Sequence, residues 1–240
     1  MTEAKGHDAD QNARKRRSDG ERSRSTILDE AARLATVEGL GGLSIARLAN
    51  AVGMSKSGLF AHFGSKEELQ LATVETADAL FSAQVIEPAS NAATAIERLH
   101  RLADGYLRYV EAETFPGGCF FASALAEVDM QPGPVRERLV RFLNDWLARL
   151  ENAIHDAQTE GTLDPTEDPG QLAFEIEAAL FLANAQYVVT RTPQPIERAR
   201  NAIERRLASA TTRTTARSRP TSGPAQHRRA KPDDPRSRAR

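Results

Sequence analysis

Residues 44–69 carry the residue types and spacing of a helix-turn-helix that reads DNA. Ser44, Ser55 and Ser65 each stand one position before a short segment with helical apolar periodicity. A serine hydroxyl at such a position accepts a hydrogen bond from one of the free backbone N–H groups at the start of a helix. The pattern therefore predicts three helix starts. The second helix, residues 56–63, can enter a major groove while the first lies over the DNA backbone.

Two glycines and one acidic residue support these boundaries. Gly53 and Gly64 are placed to end the first two helices, because glycine readily adopts the backbone conformation that closes a helix. Glu68 follows Ser65 by three residues, which is the spacing of a capping box. A third, longer helix is therefore expected to begin directly after Ser65.

A helical hairpin that never touches DNA has similar spacing, so the exposed side chains must separate the two interpretations. Leu59 and Phe63 are four residues apart and face inward together, which turns Lys56 and His62 outward. A merely structural surface favours ladders of Glu and Lys, whereas residues 54–66 contain no acid. This outward face favours contact with nucleic acid.

The charge distribution agrees with a DNA-binding module at one end of the chain. The whole sequence has 32 basic and 33 acidic residues, which alone argues against a nucleic-acid binder. Residues 75–210, however, contain 12 basic and 21 acidic residues, and residues 211–240 contain 9 and 2. Because an acidic body repels DNA, binding is left to the N-terminal module and to the chain ends.

Length and composition indicate a soluble cytoplasmic protein without a membrane segment. The 240 residues are 40% hydrophobic, enough for a packed core, and the single cysteine, Cys119, forbids an internal disulfide. The N-terminus has no apolar leader. Residues 1–23 and 211–240 lack periodicity and are expected to be a disordered basic arm and a disordered Arg-rich tail. Arg22 and Arg24 are placed to reach a minor groove. An Arg-rich tail most often only keeps a protein soluble, but it can also add nonspecific DNA affinity.

Helical patterns predict an all-α protein of about nine helices in two domains. A first amphipathic helix over 27–37 completes a three-helix domain, residues 24–74, and a helical body fills 75–210. The fourth helix is expected to run to Val85 and to be ended by Pro88. Five more helices are predicted over residues 91–113, 119–130, 134–160, 168–190 and 195–208.

The last two helices are candidates for a dimer interface. Apolar residues cover nearly the whole circumference of the eighth helix, which suits a helix that is buried on two sides. Such a helix can also be merely central in one chain. Dimerisation is the preferred interpretation, because one short recognition helix reads few bases and paired half-sites supply specificity. The expected interface residues are Leu172, Ile176, Leu180, Tyr187, Ile196, Ala199, Ile203 and Leu207.

Residues 24–74 resemble the N-terminal DNA-binding domain of the TetR family of bacterial transcriptional regulators. The likeness is carried by residues 53–63, Gly-Met-Ser-Lys-Ser-Gly-Leu-Phe-Ala-His-Phe, and by 65–69, Ser-Lys-Glu-Glu-Leu. The nine-helix pattern with a Pro-Gly-Gly break at 116–118 is similar to the family's C-terminal domain. The resemblance implies a homodimeric repressor that binds a palindromic double-stranded DNA operator and is released by a small-molecule effector.

The same resemblance assigns candidate DNA contacts. Ser44 and Lys66 would contact phosphates from helix starts, and Arg47 would lie near the DNA backbone. Two positions depart from the family pattern: Phe60 stands where Tyr is usual, and Gly58 stands where Thr is common. Phe60 can therefore touch a thymine methyl but cannot bond a phosphate. The groove-facing set is Met54, Ser55, Lys56, Ser57, Gly58, Phe60, Ala61 and His62.

An effector site is expected among the aromatic residues of the body. Aromatic side chains on apolar helical faces are most often plain core, and Tyr106 and Trp146 are better candidates because each brings a polar atom. Cys119 follows two glycines at a predicted helix start, where a thiol can become reactive, although a buried inert thiol is the commoner case. The candidate ligand residues are Leu102, Tyr106, Tyr109, Cys119, Phe120, Trp146, Phe174 and Phe181.

The sequence carries no signature of an enzyme. It lacks a nucleophile–base pattern, a phosphate-binding loop, a dinucleotide fingerprint and a metal-ligand cluster, so no catalytic residue, metal or cofactor is expected. Two alternatives to a ligand-released repressor stay open. One is an activator or architectural DNA-binding protein without a ligand, and the other is a repressor that senses electrophiles or oxidants through Cys119.

Overall fold

The computed structural model describes residues 4–127 and 132–211, with side chains from Gly20 onward. Within these ranges the chain is all-helical, as predicted, apart from an isolated bridge between Leu163 and Thr211. The helices are α1 (Ala4–Glu38), α2 (Ile45–Ala51), α3 (Lys56–Phe60), α4 (Lys66–Phe81), a π-helical segment (Ser82–Ile86), α5 (Glu87–Ser90), α6 (Ala95–Glu111), α7 (Phe120–Ala126), α8 (Pro134–Thr159), α9 (Pro169–Thr190) and α10 (Gln194–Ser209).

Two hydrophobic clusters divide the molecule into a small N-terminal unit and a large body. The small cluster joins α1, α2, α3 and the start of α4 through residues such as Ile27, Leu48, Leu59 and Leu69. The large cluster joins α4 to α10. Both α1 and α4 contribute side chains to both clusters, so they connect the unit to the body.

The first helix is longer than the sequence indicated. It begins at Ala4, so residues 4–23 are helical, and the predicted disordered arm over 1–23 is wrong for this part. These residues lack an apolar stripe but contain no proline and several good helix formers, so they extend a helix that is fixed by packing further along. Residues 1–3 and 212–240, including most of the predicted tail, lie outside the described residues.

The fourth helix also continues beyond its predicted end. The π-helical segment and α5 follow α4 without a break, so these three elements form one rod and the described chain contains nine rods. Pro88 does not end the rod: it follows directly after the π-helical turn, in which the backbone N–H of Glu87 bonds the carbonyl oxygen of Ser82, and the rod continues to Ser90. The π-helical segment approaches α6 closely: a Cβ added at Gly105 would lie 3.4 Å from the carbonyl oxygen of Val85.

The turn at Gly117, Gly118 and Cys119, between α6 and α7, connects the body to α1 and is called the glycine corner below. The backbone N–H of Gly117 donates to Thr36 Oγ1 of α1 at 3.1 Å. Two residues later, the backbone N–H of Cys119 donates at 2.8 Å to Oδ1 of Asn184, a buried residue of α9. Gly118 has φ of +81°, and a Cβ there would lie 2.3 Å from Asn184 Oδ1. The corner therefore requires glycine at both positions.

Helix α9 passes the length and hydropathy criteria for a membrane span, with 22 residues and a mean hydropathy of 1.3. One face of this helix, however, packs against α8, α10 and α6 inside the body. A central helix of a folded helical body has the same composition, so these criteria alone do not indicate a membrane.

We expect Gly117→Ala to lower the free energy of unfolding by about 1–3 kcal/mol. The reason is steric, because the new Cβ would lie 1.8 Å from the carbonyl oxygen of Thr36. Urea denaturation followed by circular dichroism, at fixed protein concentration, measures the change.

The matched control is Gly20→Ala in α1, where no atom lies within 4 Å of the new Cβ. This control is expected to leave stability unchanged or to raise it by up to about 1 kcal/mol. Equal stabilities of Gly117→Ala and the wild type would contradict the close contact between α1 and the corner.

Candidate DNA-binding surface and effector core

Three serine caps position the helix-turn-helix. Ser44, Ser55 and Ser65 each accept a hydrogen bond from the backbone N–H three residues later, at 3.1, 3.0 and 3.0 Å. Glu68 Oε2 in turn accepts from the backbone N–H of Gly64 at 2.9 Å, close to the predicted capping box. Gly53 has φ of +68°, as expected for the residue that closes α2. These local bonds fix where each helix begins and ends.

The outward face of α3 is formed by residues around buried Leu59. Helix α3 ends at Phe60, three residues before the predicted end, and the chain reaches buried Phe63 through a turn. Phe60 is 49% exposed although it is a large apolar side chain. The residues of this face that are exposed or half-buried are Met54, Ser55, Lys56, Ser57, Gly58, Phe60, Ala61 and His62.

Arg24 fixes the end of the recognition segment. Its Nη1 donates to the carbonyl oxygen of His62 at 2.7 Å, and its guanidinium lies 4.3 Å from the centre of the Phe63 ring. The sequence interpretation placed Arg24 toward a minor groove, but the structure engages it in holding α1 to the segment after α3. The sequence signal was ambiguous, because an arginine before a helix serves either role.

Two other predicted contact residues bond within the protein. Arg47 Nε donates to Glu38 Oε1 at 2.6 Å, and Lys66 Nζ donates to the carbonyl oxygen of Gly41 at 2.7 Å. Both side chains remain exposed. Lys66 therefore ties the start of α4 to the loop after α1, while its other N–H groups face solvent.

An aromatic cluster fills the body around Phe81, the last residue of α4. Phe81 is fully buried and its ring contacts five other rings, all edge to face with centroids 5.2–6.2 Å apart. Neither Phe81 nor Phe142 stands out in the sequence, because periodicity does not rank one aromatic residue above another. The partner rings of Phe81 are Tyr106, Tyr109, Phe121, Phe142 and Trp146.

Polar atoms lie within this apolar cluster. Trp146 Nε1 donates to Glu177 Oε2 at 2.6 Å, and burial raises the pKa of the Glu177 carboxyl to about 7, the Trp146 bond opposing the rise. The Tyr106 hydroxyl interacts with the Cys119 thiol. Among the described residues, the buried Tyr109 hydroxyl makes no well-formed hydrogen bond, although the backbone N–H of Phe120 lies near it and opposes the rise in its pKa. Burial raises the pKa of both phenols well above the ordinary range.

Two family models match the chain over the two structural units. Residues 27–73 match the model of bacterial regulatory proteins of the tetR family, and residues 95–203 match the tetracyclin repressor-like C-terminal domain. The chain belongs to the TetR family. This TetR-family regulator therefore joins a helix-turn-helix DNA-binding domain to a C-terminal domain of the ligand-binding type. A comparison with curated proteins found no match.

Solved structures share the fold at low sequence identity. A TetR transcriptional regulator from Chloroflexus aurantiacus J-10-FL is 24% identical, with a TM-score of 0.75 over 81% of this chain and 98% of that one. A TetR-family regulator from Cytophaga hutchinsonii is 20% identical, with a TM-score of 0.70 over 80% and 96%. AibR, solved in complex with isovaleryl coenzyme A and operator DNA, is 24% identical, with a TM-score of 0.62 over 75% and 95%.

The predicted effector residues of this TetR-family regulator divide into two groups. Phe174 and Phe181 are 65% and 45% exposed on α9, so their placement in an internal cavity is wrong. They lie on the side of α9 that faces away from the body. Because α9 is apolar all round, its sequence does not indicate which side faces the body. The buried group, which lies in the large cluster, is Leu102, Tyr106, Tyr109, Cys119, Phe120 and Trp146.

The eight predicted dimer residues lie inside the protomer. All are buried in the large cluster, so they are not available to a second copy, and this expectation is corrected. The periodicity identified the apolar stripe correctly but not which side faces the chain's own core. The exposed stripe of α9 consists of Phe174, Ala178, Phe181, Leu182, Ala185 and Val189. The buried eight are Leu172, Ile176, Leu180, Tyr187, Ile196, Ala199, Ile203 and Leu207.

Cys119 has the properties of an inert core thiol. It is buried, and burial raises the pKa of its thiol to about 11, with nearby backbone N–H groups of α7 opposing the rise. Because the thiolate is the reactive form, this environment argues against sensing of electrophiles through Cys119. Among the described residues, no group of three His, Cys, Asp or Glu side chains is placed to hold a metal ion.

We expect Glu177→Gln to flatten the dependence of stability on pH. The Glu177 carboxyl has its ordinary pKa of 4.5 in the unfolded chain and a pKa of about 7 in the folded protein. The wild type therefore loses stability as pH rises between these two values. The loss is at most about 3 kcal/mol, and the amide, which does not ionise, avoids it. Urea denaturation at a series of pH values measures the effect.

Glu151→Gln is the matched control, because it removes one carboxyl from the exposed surface of α8. Its stability is expected to follow that of the wild type across the pH series. Parallel pH profiles for Glu177→Gln and the wild type would show that the Glu177 carboxyl is not held in its neutral form by the core.

Proposed function

We propose that this protein is a homodimeric transcriptional repressor of the cytoplasm, without catalytic activity, that releases its operator when a small molecule enters the aromatic core. The observation that carries the proposal is the course of α4. Lys66, at one end of this helix, bonds the loop beside the helix-turn-helix, and Phe81, at the other end, lies at the centre of the aromatic cluster. One rigid element therefore links a surface suited to DNA with a core suited to a ligand.

The outward face of α3 supports the DNA-binding half of the proposal. Lys56 and His62 offer donors to phosphate or base edges, and Phe60 offers apolar contact to a thymine methyl. Ser44 and Lys66 lie at helix starts, where backbone N–H groups attract phosphate oxygens. The related fold of AibR, captured with operator DNA and isovaleryl coenzyme A, supports both a DNA partner and a small-molecule partner.

The exposed stripe of α9 supports the homodimer. Phe174, Phe181 and Val189, which are 45–82% exposed, share one side of the helix with small alanines. A continuous apolar surface of this kind marks an interaction site in a soluble protein. A second copy that brings the same stripe would bury both and present two α3 helices to two half-sites.

The aromatic cluster supports release by an effector. A molecule that inserts among Tyr106, Tyr109 and Trp146 must displace the Phe81 ring, which contacts all three. Since Phe81 is part of α4, its displacement moves the helix that also packs behind the helix-turn-helix. Packed cores shift between discrete arrangements, so a small local movement can be amplified at α3. An activator or architectural protein would share the DNA face but would not release DNA when a ligand binds.

We expect Lys56→Ala to weaken binding to the operator and to unrelated DNA by a similar factor. Loss of one phosphate contact reduces the slope of log affinity against log salt concentration by about one. Fluorescence anisotropy with DNA fragments from the region upstream of the gene, at several salt concentrations, measures both affinity and slope.

Arg141→Ala is the control, since it removes the same charge from an exposed position on α8. Its salt slope is expected to equal that of the wild type. A wild-type protein that binds none of the upstream fragments more tightly than unrelated DNA would overturn the proposed function.

We expect Phe181→Glu to convert the dimer to a monomer, because the dimer would bury a carboxylate from each copy in an apolar interface. Operator affinity should fall by about a hundredfold or more, since two linked half-site contacts become independent. Sedimentation velocity reports the oligomeric state.

Phe60→Glu is the control for oligomeric state, since Phe60 is equally an exposed phenylalanine but lies on α3. This variant is expected to remain dimeric while losing DNA binding. A dimeric Phe181→Glu protein would exclude α9 as the interface.

A further inference from the structure

Glu177 introduces a carboxyl into the wall of the aromatic core. The side chain extends from α9 and accepts the Trp146 indole N–H at 2.6 Å. We propose that the effector is a compact aromatic molecule bearing an amine or another hydrogen-bond donor, and that Glu177 is its polar anchor. This assignment rests on the proposed effector function and specifies the charge of the ligand, which the family resemblance does not.

The polar groups inside the core disfavour an anionic ligand. The groups within and beside the Phe81 cluster are the half-buried Glu177 carboxyl, two phenols, a thiol and an indole N–H already bound to the carboxyl, whereas Arg149 and the Asp78–Arg138 pair lie at its solvent edge. Among the described residues, the fully buried set contains no Lys, Arg or His. An anion would therefore place its charge near Glu177 in a medium of low polarity without a compensating cation. A neutral or cationic ligand avoids this repulsion.

The Tyr109 hydroxyl, which makes no well-formed hydrogen bond, supplies a second polar contact. It is buried on α6 within the same cluster, and the centres of the Tyr109 and Phe81 rings lie 5.5 Å apart. A buried hydroxyl without a partner is unfavourable, and a polar atom of a bound ligand would satisfy it. Glu177 and Tyr109 therefore provide polar contacts from two different helices, with aromatic rings between them.

A small cleft opens the cluster to solvent between α4 and α8. Its volume is about 60 Å³, and Phe81, Phe142 and Trp146 form its floor. Asp78 and Asp145 lie at its rim together with Arg149, and Asp78 is paired there with Arg138 of α8, so the acidic and basic groups of the rim balance. A space of this size holds about two water molecules, so a larger ligand must displace one or more of these three rings as it enters. The preference for a cation over an anion therefore rests on the anchor, Glu177, and not on the rim.

Three probes of matched shape test the charge preference: 4-phenylbutylamine, 4-phenylbutan-1-ol and 4-phenylbutyrate. The chain contains one tryptophan, Trp146, so its fluorescence in the full-length protein reports binding at the core directly. We expect the amine to bind at least about tenfold more tightly than the carboxylate, with the alcohol between them. In Glu177→Gln, the affinity for the amine should fall to within about twofold of the affinity for the alcohol.

Glu151→Gln, the exposed carboxyl on α8, is expected to keep the wild-type order of affinities. The assignment would be overturned if the carboxylate bound as tightly as the amine or more tightly, or if the amine gave no fluorescence response. It would also be overturned if Glu177→Gln kept the wild-type order of probe affinities. Operator binding is measured separately by anisotropy. A protein that binds its operator but prefers the carboxylate refutes the ligand class alone, whereas amine binding without operator binding refutes the regulator alone.

Discussion

The fold depends on α4 belonging to two hydrophobic clusters at once. Leu69 near its start completes the core of the helix-turn-helix, and Phe81 at its end occupies the centre of the body. The small unit buries few large side chains, and a core of that size is marginal without support. Its stability therefore depends on the body, and one continuous helical rod connects the surroundings of Phe81 with the base of the helix-turn-helix. Arg138 of α8 holds that rod at Glu75 and Asp78.

The helix-turn-helix could be predicted in detail because its determinants are local. Ser44, Ser55 and Ser65 cap the helices that the sequence assigned to them, and a cap acts over only three residues. Leu59 and Phe63 are buried at the predicted spacing. Short-range hydrogen bonds and a four-residue apolar period are visible in the chain itself, so the family resemblance and the local physics led to the same domain.

The body could be predicted as helices but not as a site. An all-round apolar α9 has two apolar sides, and only the three-dimensional packing determines that Ile176 faces the core while Phe174 and Phe181 face outward. The central position of Phe81 and the carboxyl of Glu177 near Trp146 arise from contacts between distant helices. Neither has a signal in the spacing of residues along one segment, which is why both were missed.

The glycine corner beside Thr36 gives the DNA-reading unit a second attachment, separate from α4. A rigid object joined to another at two separated places turns most easily about the line through them. We therefore expect the DNA-binding unit to rotate as a rigid body about the line that joins α4 and the glycine corner. In the proposed dimer, such a rotation would change the distance between the two α3 helices while each keeps its own surface unchanged, so an effector would select the spacing of the half-sites and leave their base preference intact.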